Sequence, residues 1–171
     1  IDRTETRNEI LSCNILPHAR SRHGAQEMEL VAAAVTNRRG ERTFSIRMMD
    51  EITIRVLVRA KSEIAAPMVG IHLYDRMNTL IFASSTRQVQ RHLPPLGAGD
   101  ERIVVLRLRL TIQPGLYTFS LGCAEPSIDG VNQGFLHDRH EGLGPIEVVY
   151  QETAVMPFYG IAQLQLETEC I

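Results

Sequence analysis

Two histidines and two carboxylates fall within five consecutive residues, His137-Asp138-Arg139-His140-Glu141. Imidazole and carboxylate are ordinary ligands of zinc and related divalent ions, so this string is the first candidate for metal chemistry. Metal binding needs the donors to converge, and a segment in a loop or just after a short strand does not bring all four to one point. Contact with a ligand, or a salt-bridged turn, is the preferred reading, and no metal is assigned. A second candidate is arginine. Arg55 and Arg59 alternate along one run and Arg107 and Arg109 along another, so each pair projects from one side of a strand. A guanidinium fork matches phosphate or carboxylate oxygens; the competing reading is a charged face that keeps the domain soluble. Arg76 and Arg87, beside a turn and a loop, offer the same chemistry. Asp75, Asp100, Asp138 and Glu141 read as turn or loop residues, where acids are common for turn reasons. No Gly-x-Ser-x-Gly elbow occurs and no Ser-His-Asp or Cys-His order stands out, so no catalytic residue is assigned.

Composition narrows the classes further. The 171 residues are 44% hydrophobic and 22% charged, the balance of a folded domain with a real core. The net charge is −2, which argues against nucleic acid as a partner. Lys61 is the only lysine and no glycine-rich turn precedes it; a phosphate-cradling Gly-Lys-Ser/Thr loop is therefore missing, and with it nucleotide hydrolysis by that route. Tryptophan is absent, so any stacking uses tyrosine, phenylalanine or histidine. Cys13, Cys123 and Cys170 are too far apart for a CxxC pair and odd in number, which suits a reducing compartment. No apolar run approaches the ~18 residues that would span a membrane. The chain starts Ile-Asp-Arg-Thr-Glu, and we read it as part of a larger protein.

The elements that would position these groups are strands. Residues 1–22 are polar, without a sustained apolar period, and read as a linker or arm, although Ile10, Leu11, Ile15 and Leu16 are available to dock. From residue 23 onward short apolar runs alternate with turn signals. Glu27–Thr36 is a strand or a short helix. Ile52–Arg59 has period two, with Ile52, Ile54, Val56 and Val58 on one face. Met68–Tyr74 alternates likewise, turns at Asp75-Arg76-Met77-Asn78 and returns through Leu80–Thr86. Ile103–Ile112, a Gln113-Pro114-Gly115 turn and Leu116–Ala124 follow. Gly144–Tyr150 and Gly160–Leu166 complete about eight strands. The predicted fold is all-β, an antiparallel β-sandwich of immunoglobulin-like or jelly-roll type.

The order of the pieces between residues 52 and 122 carries more than fold class. Ile-Thr-Ile-Arg-Val-Leu-Val-Arg leads to Ala-Pro-Met-Val-Gly-Ile-His-Leu-Tyr-Asp-Arg-Met-Asn, then Leu-Gly-Ala-Gly-Asp-Glu, a long strand, Gln-Pro-Gly-Leu-Tyr-Thr-Phe-Ser-Leu-Gly and finally Leu-His-Asp-Arg-His-Glu. Over roughly residues 23–150 this resembles the C-terminal domain of Wzt, the ATP-binding subunit of ABC transporters that export O-antigen polysaccharides. The resemblance implies a non-catalytic carbohydrate-binding module, without a cofactor, that recognises the modified terminus of the polysaccharide. It implies a covalently linked nucleotide-binding domain, a membrane-spanning transporter subunit as partner, and a cytoplasmic location at the inner membrane. It also implies a homodimer in which a C-terminal strand, here 160–166, is exchanged. The alternatives are a carbohydrate-active or metal-dependent enzyme on the same scaffold, and a purely structural dimerisation domain.

The sugar-contacting set comes from the sheet pattern, because the resemblance supplies no residue motif for it. Gly70, His72 and Tyr74 alternate outward on one strand and Thr118, Ser120 and Gly122 on another. If those strands pair, small residues leave room for a glycan, with hydrogen bonds and stacking from His72 and Tyr74. An ordinary solvated sheet face is the competing reading. The candidate ligand-binding residues are His72, Tyr74, Arg76, Ser84, Arg87, Thr118, Ser120, His137 and Arg139.

Overall fold

Alternation of apolar and polar residues gives each strand one face to bury, and two sheets satisfy that need by stacking. The computed structural model describes residues 3–127, 134–150 and 155–169. In chain order the elements are α1 (Arg3–Ser12), a 3-10 turn (Leu16–His18), β1 (Ser21–His23), β2 (Met28–Asn37), β3 (Ser45–Arg47), β4 (Glu51–Ala60), β5 (Met68–Tyr74), β6 (Leu80–Ser85), β7 (Glu101–Arg109), β8 (Gly115–Ala124) and β9 (Leu136–Val149). One sheet runs β1-β9-β8-β5-β6, with β3 parallel to the far end of β9; the other is β2-β4-β7, antiparallel throughout. The architecture is the expected β-sandwich, with nine strands among the described residues. Glu27–Thr36 resolves as a strand, its Leu30–Ala32 stretch carrying an irregularity in the pairing with β4.

The core lies between the sheets. Val35, Ile52, Ile54, Val56 and Val58 face Val69, Leu73, Phe119, Leu121 and Ile146, all nearly or fully buried. Tyr117 closes the turn before β8: its hydroxyl donates to the Gln113 carbonyl at 2.7 Å, a tyrosine corner of the kind immunoglobulin-like sandwiches use. In the β5–β6 turn, Asp75 accepts from the Met77 and Thr79 amides at 2.9 and 2.8 Å, which explains an acid there without invoking chemistry. Asp100 does the same for the Gly97 amide.

Three segments differ from the sequence reading. First, residues 3–12 form a helix laid on the outer face of the β2-β4 pair. Ile10 is fully buried against Ala32, Ala34 and Leu57, so β4 is buried on both faces where one was expected. Arg7 Nε meets Glu101 Oε2 at 2.7 Å and Asn14 Oδ1 accepts from the Ala33 amide at 3.0 Å. Second, residues 137–141 belong to β9 rather than to a loop, and the strand expected at 144–150 is its second half. Third, Gly160–Leu166 is not a strand: one antiparallel bridge, Ile112 to Ala162, holds it, and Ile161, Leu164 and Leu166 are exposed.

Candidate functional site

Registry brings the two small-residue faces together. β5 pairs with β8 so that Gly70 lies opposite Gly122, His72 opposite Ser120 and Tyr74 opposite Thr118. On the far side of β8, Gly122 lies opposite Arg139 of β9; on the far side of β5, Gly70 lies opposite Ser85 of β6. Glycine at two adjoining positions removes the side chains that would fill the middle of the sheet face. A Cβ built on Gly70 would come within 3.0 Å of the Ser84 carbonyl oxygen, and one on Gly122 within 3.3 Å of the Asp138 carbonyl oxygen. The result is a groove of about 190 Å³ lined by Gly70, His72, Ser85, Gln88, Ser120, Gly122 and Arg139, with the Ser84 backbone beside Gly70. At roughly 30 Å³ per water the groove holds about six waters, room for a single small ring rather than a long chain.

The groove's chemistry is hydrogen bonding with one cation. Ser85 Oγ hydrogen-bonds Gln88 Oε1, and the Tyr74 hydroxyl and His72 Nδ1 lie 3.2 Å apart in a second hydrogen bond. Burial, and then the charge of Arg139, push the His72 pKa below its ordinary value. His72 is therefore neutral at pH 7 and offers one donor and one acceptor. Among the described residues no Asp or Glu lines the groove.

Of the nine residues nominated from sequence, His72, Ser120 and Arg139 line the groove and Ser84 borders it through its backbone, with Tyr74 hydrogen-bonded to His72 and Thr118 opposite Tyr74. Arg76 stays in the exposed β5–β6 turn. Arg87 lines a neighbouring cavity. His137 is buried and does not reach the groove: its Nε2 lies 3.1 Å from Glu125 Oε2 and its ring meets Phe135 edge-on. Sequence reasoning missed Ser85 and Gln88. Ser85 ends β6 and Gln88 sits in the turn after it, where no periodicity marks which side chains return over the sheet.

The string at 137–141 divides between the two faces of β9. Arg139 faces the groove, while Asp138 and His140 turn inward, so the donors do not gather. Among the described residues no group of three or more His, Cys, Asp and Glu side chains is placed to hold a metal ion. Asp138 instead joins the sheets. Fully buried, it accepts from Arg22 Nε and Nη2 of β1 at 2.9 Å each and from the Leu30 amide of β2 at 2.9 Å; His140 Nε2 lies 3.4 Å away. Burial opposes its ionisation, but the close approach of His140 and the hydrogen bonds from Arg22 and the Leu30 amide prevail and hold its pKa at about 2. Three of the four strand arginines suggested as an anion cluster are also engaged. Arg59 meets Glu101 at 2.5 Å, Arg55 approaches Glu9 at 4.0 Å and Arg109 donates to the Met49 carbonyl at 2.9 Å.

Fold and groove together define a β-sandwich of immunoglobulin-like type with an open groove on one sheet. The family model described as the Wzt C-terminal domain matches residues 19–164, and the chain belongs to that family. The crystal structure of the C-terminal domain of Wzt superposes with a TM-score of 0.73 at 14% identity, covering 88% of each chain. A calcium-binding mutant of Bacteroides uniformis beta-glucuronidase 2 is similar over 69% of this chain and 14% of that one, with a TM-score of 0.47 and 12% identity. The CARDB domain of a Pyrococcus furiosus protein gives 0.39 at 12% identity over 77% and 95% of the two chains. No curated protein sequence matches this one. Membership in the family supports a carbohydrate-binding domain of a polysaccharide transporter.

Proposed function

We propose that the groove over Gly70 and Gly122 receives the modified terminus of an O-antigen polysaccharide and selects the finished chain for export without altering it. The observation that carries this reading is the paired glycine floor bordered by neutral donors and one arginine. Sugars are bound through fixed donors and acceptors on preformed sites, and His72, Ser85, Ser120 and Arg139 supply both. The test is a glycan array of O-antigen polysaccharides with and without their terminal modification. Retention only of modified chains, lost in Arg139→Ala, supports the proposal. Equal retention of both kinds, or hydrolysis of any of them, removes it in favour of a nonselective module or an enzyme.

On this reading the domain is covalently linked to a nucleotide-binding domain and works beside a membrane-spanning subunit at the cytoplasmic face of the inner membrane. Among the described residues no helix is long and apolar enough to cross a membrane. A homodimer fits the C-terminal segment. Gln163 N donates to the Thr111 carbonyl on the free edge of the three-stranded sheet. Extending that antiparallel bridge would set Leu164 opposite Leu110, Leu166 opposite Leu108 and Glu167 opposite Arg107. A partner's segment entering this register would cover the exposed edge. Sedimentation should show a dimer that Leu164→Glu with Leu166→Glu dissociates; an unchanged dimer would show that the segment is not the link, and a wild-type monomer would rule out the homodimer.

A further inference from the structure

Two stacked sheets bury their core completely only where something covers the seam between their edges. β6 is the last strand of one sheet and β7 the last of the other, and the seam between them holds a cavity of about 160 Å³. Alternation along β6 separates this cavity from the groove. Ser85 lies opposite Gly70 and faces the groove, whereas Phe82 and Ser84 lie opposite Leu73 and Ile71, which point into the core. Ile71 and Phe82 from one sheet, Leu106 and Leu108 from the other, and Val89 from the turn after β6 make the walls mainly apolar. Ser84, Ser85 and Thr86 are the neutral polar residues of the lining, and Arg91 and Arg107 are the charged ones. Among the described residues no carboxylate lines the cavity. Both arginines are exposed, and among the described residues neither guanidinium has a hydrogen bond or an ion pair.

We propose that this seam binds a phosphate monoester carrying an alkyl tail, with the tail between the sheets and the phosphate on Arg91 and Arg107. Removing the tail from water drives the binding. An engineered cavity of similar size lined by Leu, Ile and Phe takes a benzene ring, so the seam has room for a tail of about six carbons. Two cations without a lining acid call for an anion. A phosphate monoester carries about two negative charges at pH 7, and its oxygens match guanidinium forks. The site is separate from the groove, where the lining is polar and Arg139 is the one cation. The exchanged-segment register described above would set Leu166 opposite Leu108 and Glu167 opposite Arg107. A partner's segment and the phosphate ester therefore compete for the seam, and Leu164→Glu with Leu166→Glu removes the competitor.

The probe is hexyl phosphate, titrated into the wild-type chain and into that segment variant and followed by amide NMR shifts; inorganic phosphate and hexanol present head and tail alone. The expected result is saturable shifts over residues 82–91 and 105–108, with hexyl phosphate about tenfold tighter than either control, the worth of one charge-assisted hydrogen bond. The segment variant should bind at least as tightly as the wild type. Arg91→Gln with Arg107→Gln should bring hexyl phosphate down to the level of hexanol, and Val89→Trp should block both. Those three positions are exposed, so the melting temperature should hold. Hexanol binding as tightly as hexyl phosphate, an arginine variant that binds like the wild type, shifts confined to the groove, or no shift in the segment variant would each overturn the site. Phosphatidylcholine vesicles with and without dioleoyl phosphatidate separate the sources. Co-sedimentation that needs phosphatidate and is displaced by hexyl phosphate assigns the tail to a membrane lipid; hexyl phosphate binding without co-sedimentation assigns it to a soluble phosphate ester.

Discussion

Removing the Asp138 carboxylate should cost more stability than removing the side-chain polar groups of Glu101, Tyr117 or Arg139. Asp138→Ala leaves the Leu30 amide buried without an acceptor, a penalty of about 1–3 kcal/mol. It also breaks a buried ion pair, for which about 3–5 kcal/mol is usual. The Arg22 side chain is 38% exposed and regains water, so the low end applies and the whole loss should be about 3 kcal/mol. Out of a total of roughly 5–15 kcal/mol that is a large share. In urea, with a slope of about 2 kcal/mol/M, the midpoint should fall by 1–2 M with the slope unchanged. Asp138→Asn keeps one acceptor for the Leu30 amide and should lose about half as much. The acid limb gives an independent readout. The folded carboxyl titrates near 2 and an unfolded aspartate near 3.9. The folded value is the lower one, so the group adds stability above about pH 4, and that contribution fades as pH falls toward 2. The wild-type curve should drop across that window and the Asp138→Ala curve should be flatter there. A midpoint shift below about 0.3 M, or identical acid limbs, would refute the claim that Asp138 ties β1 and β2 to β9.

Other expectations follow from the same geometry. Arg139→Ala should weaken glycan binding by roughly 10–100-fold, the worth of one charge-assisted hydrogen bond, while the melting temperature moves little; calorimetry checks both. Glu101 titrates near 2 because Arg7 and Arg59 both hydrogen-bond it. Glu101→Gln should therefore loosen α1 by less than about 1 kcal/mol, read as faster amide exchange over residues 3–12; acidification from pH 4 toward 2, or high salt, should do the same to the wild type. Tyr117→Phe should cost about 1 kcal/mol in urea by deleting the bond to Gln113. Cys123 is buried and burial raises its thiol pKa, so alkylation should reach half-buried Cys13 in the native state and Cys123 only on unfolding.

The parts legible in the sequence are those set by local alternation. Residues 52–59, 68–74 and 116–124 announce their buried faces by period two, and the pairing of Gly70, His72 and Tyr74 with Gly122, Ser120 and Thr118 follows once those strands are neighbours. What stayed hidden depends on contacts distant along the chain. Helix α1 lacks an apolar stripe because Ile10 is its one buried residue, and its other anchors lie 94 residues away at Glu101. The strand character of 137–141 is masked because its inward residues are polar, and Asp138 finds its partners at Arg22 and Leu30, 116 and 108 positions back. Conversely, Gly160–Leu166 has strand-like composition, but within this chain it finds only the single bridge to Ile112.

The most direct test of a terminus-reading groove is a paired titration of one polysaccharide, with and without its terminal modification, against the wild-type chain and against Gly122→Val, which fills the floor. Saturable binding of the modified chain alone, lost in the variant, is the predicted result. Equal binding of both polysaccharides, or undiminished binding with the floor filled, would contradict it.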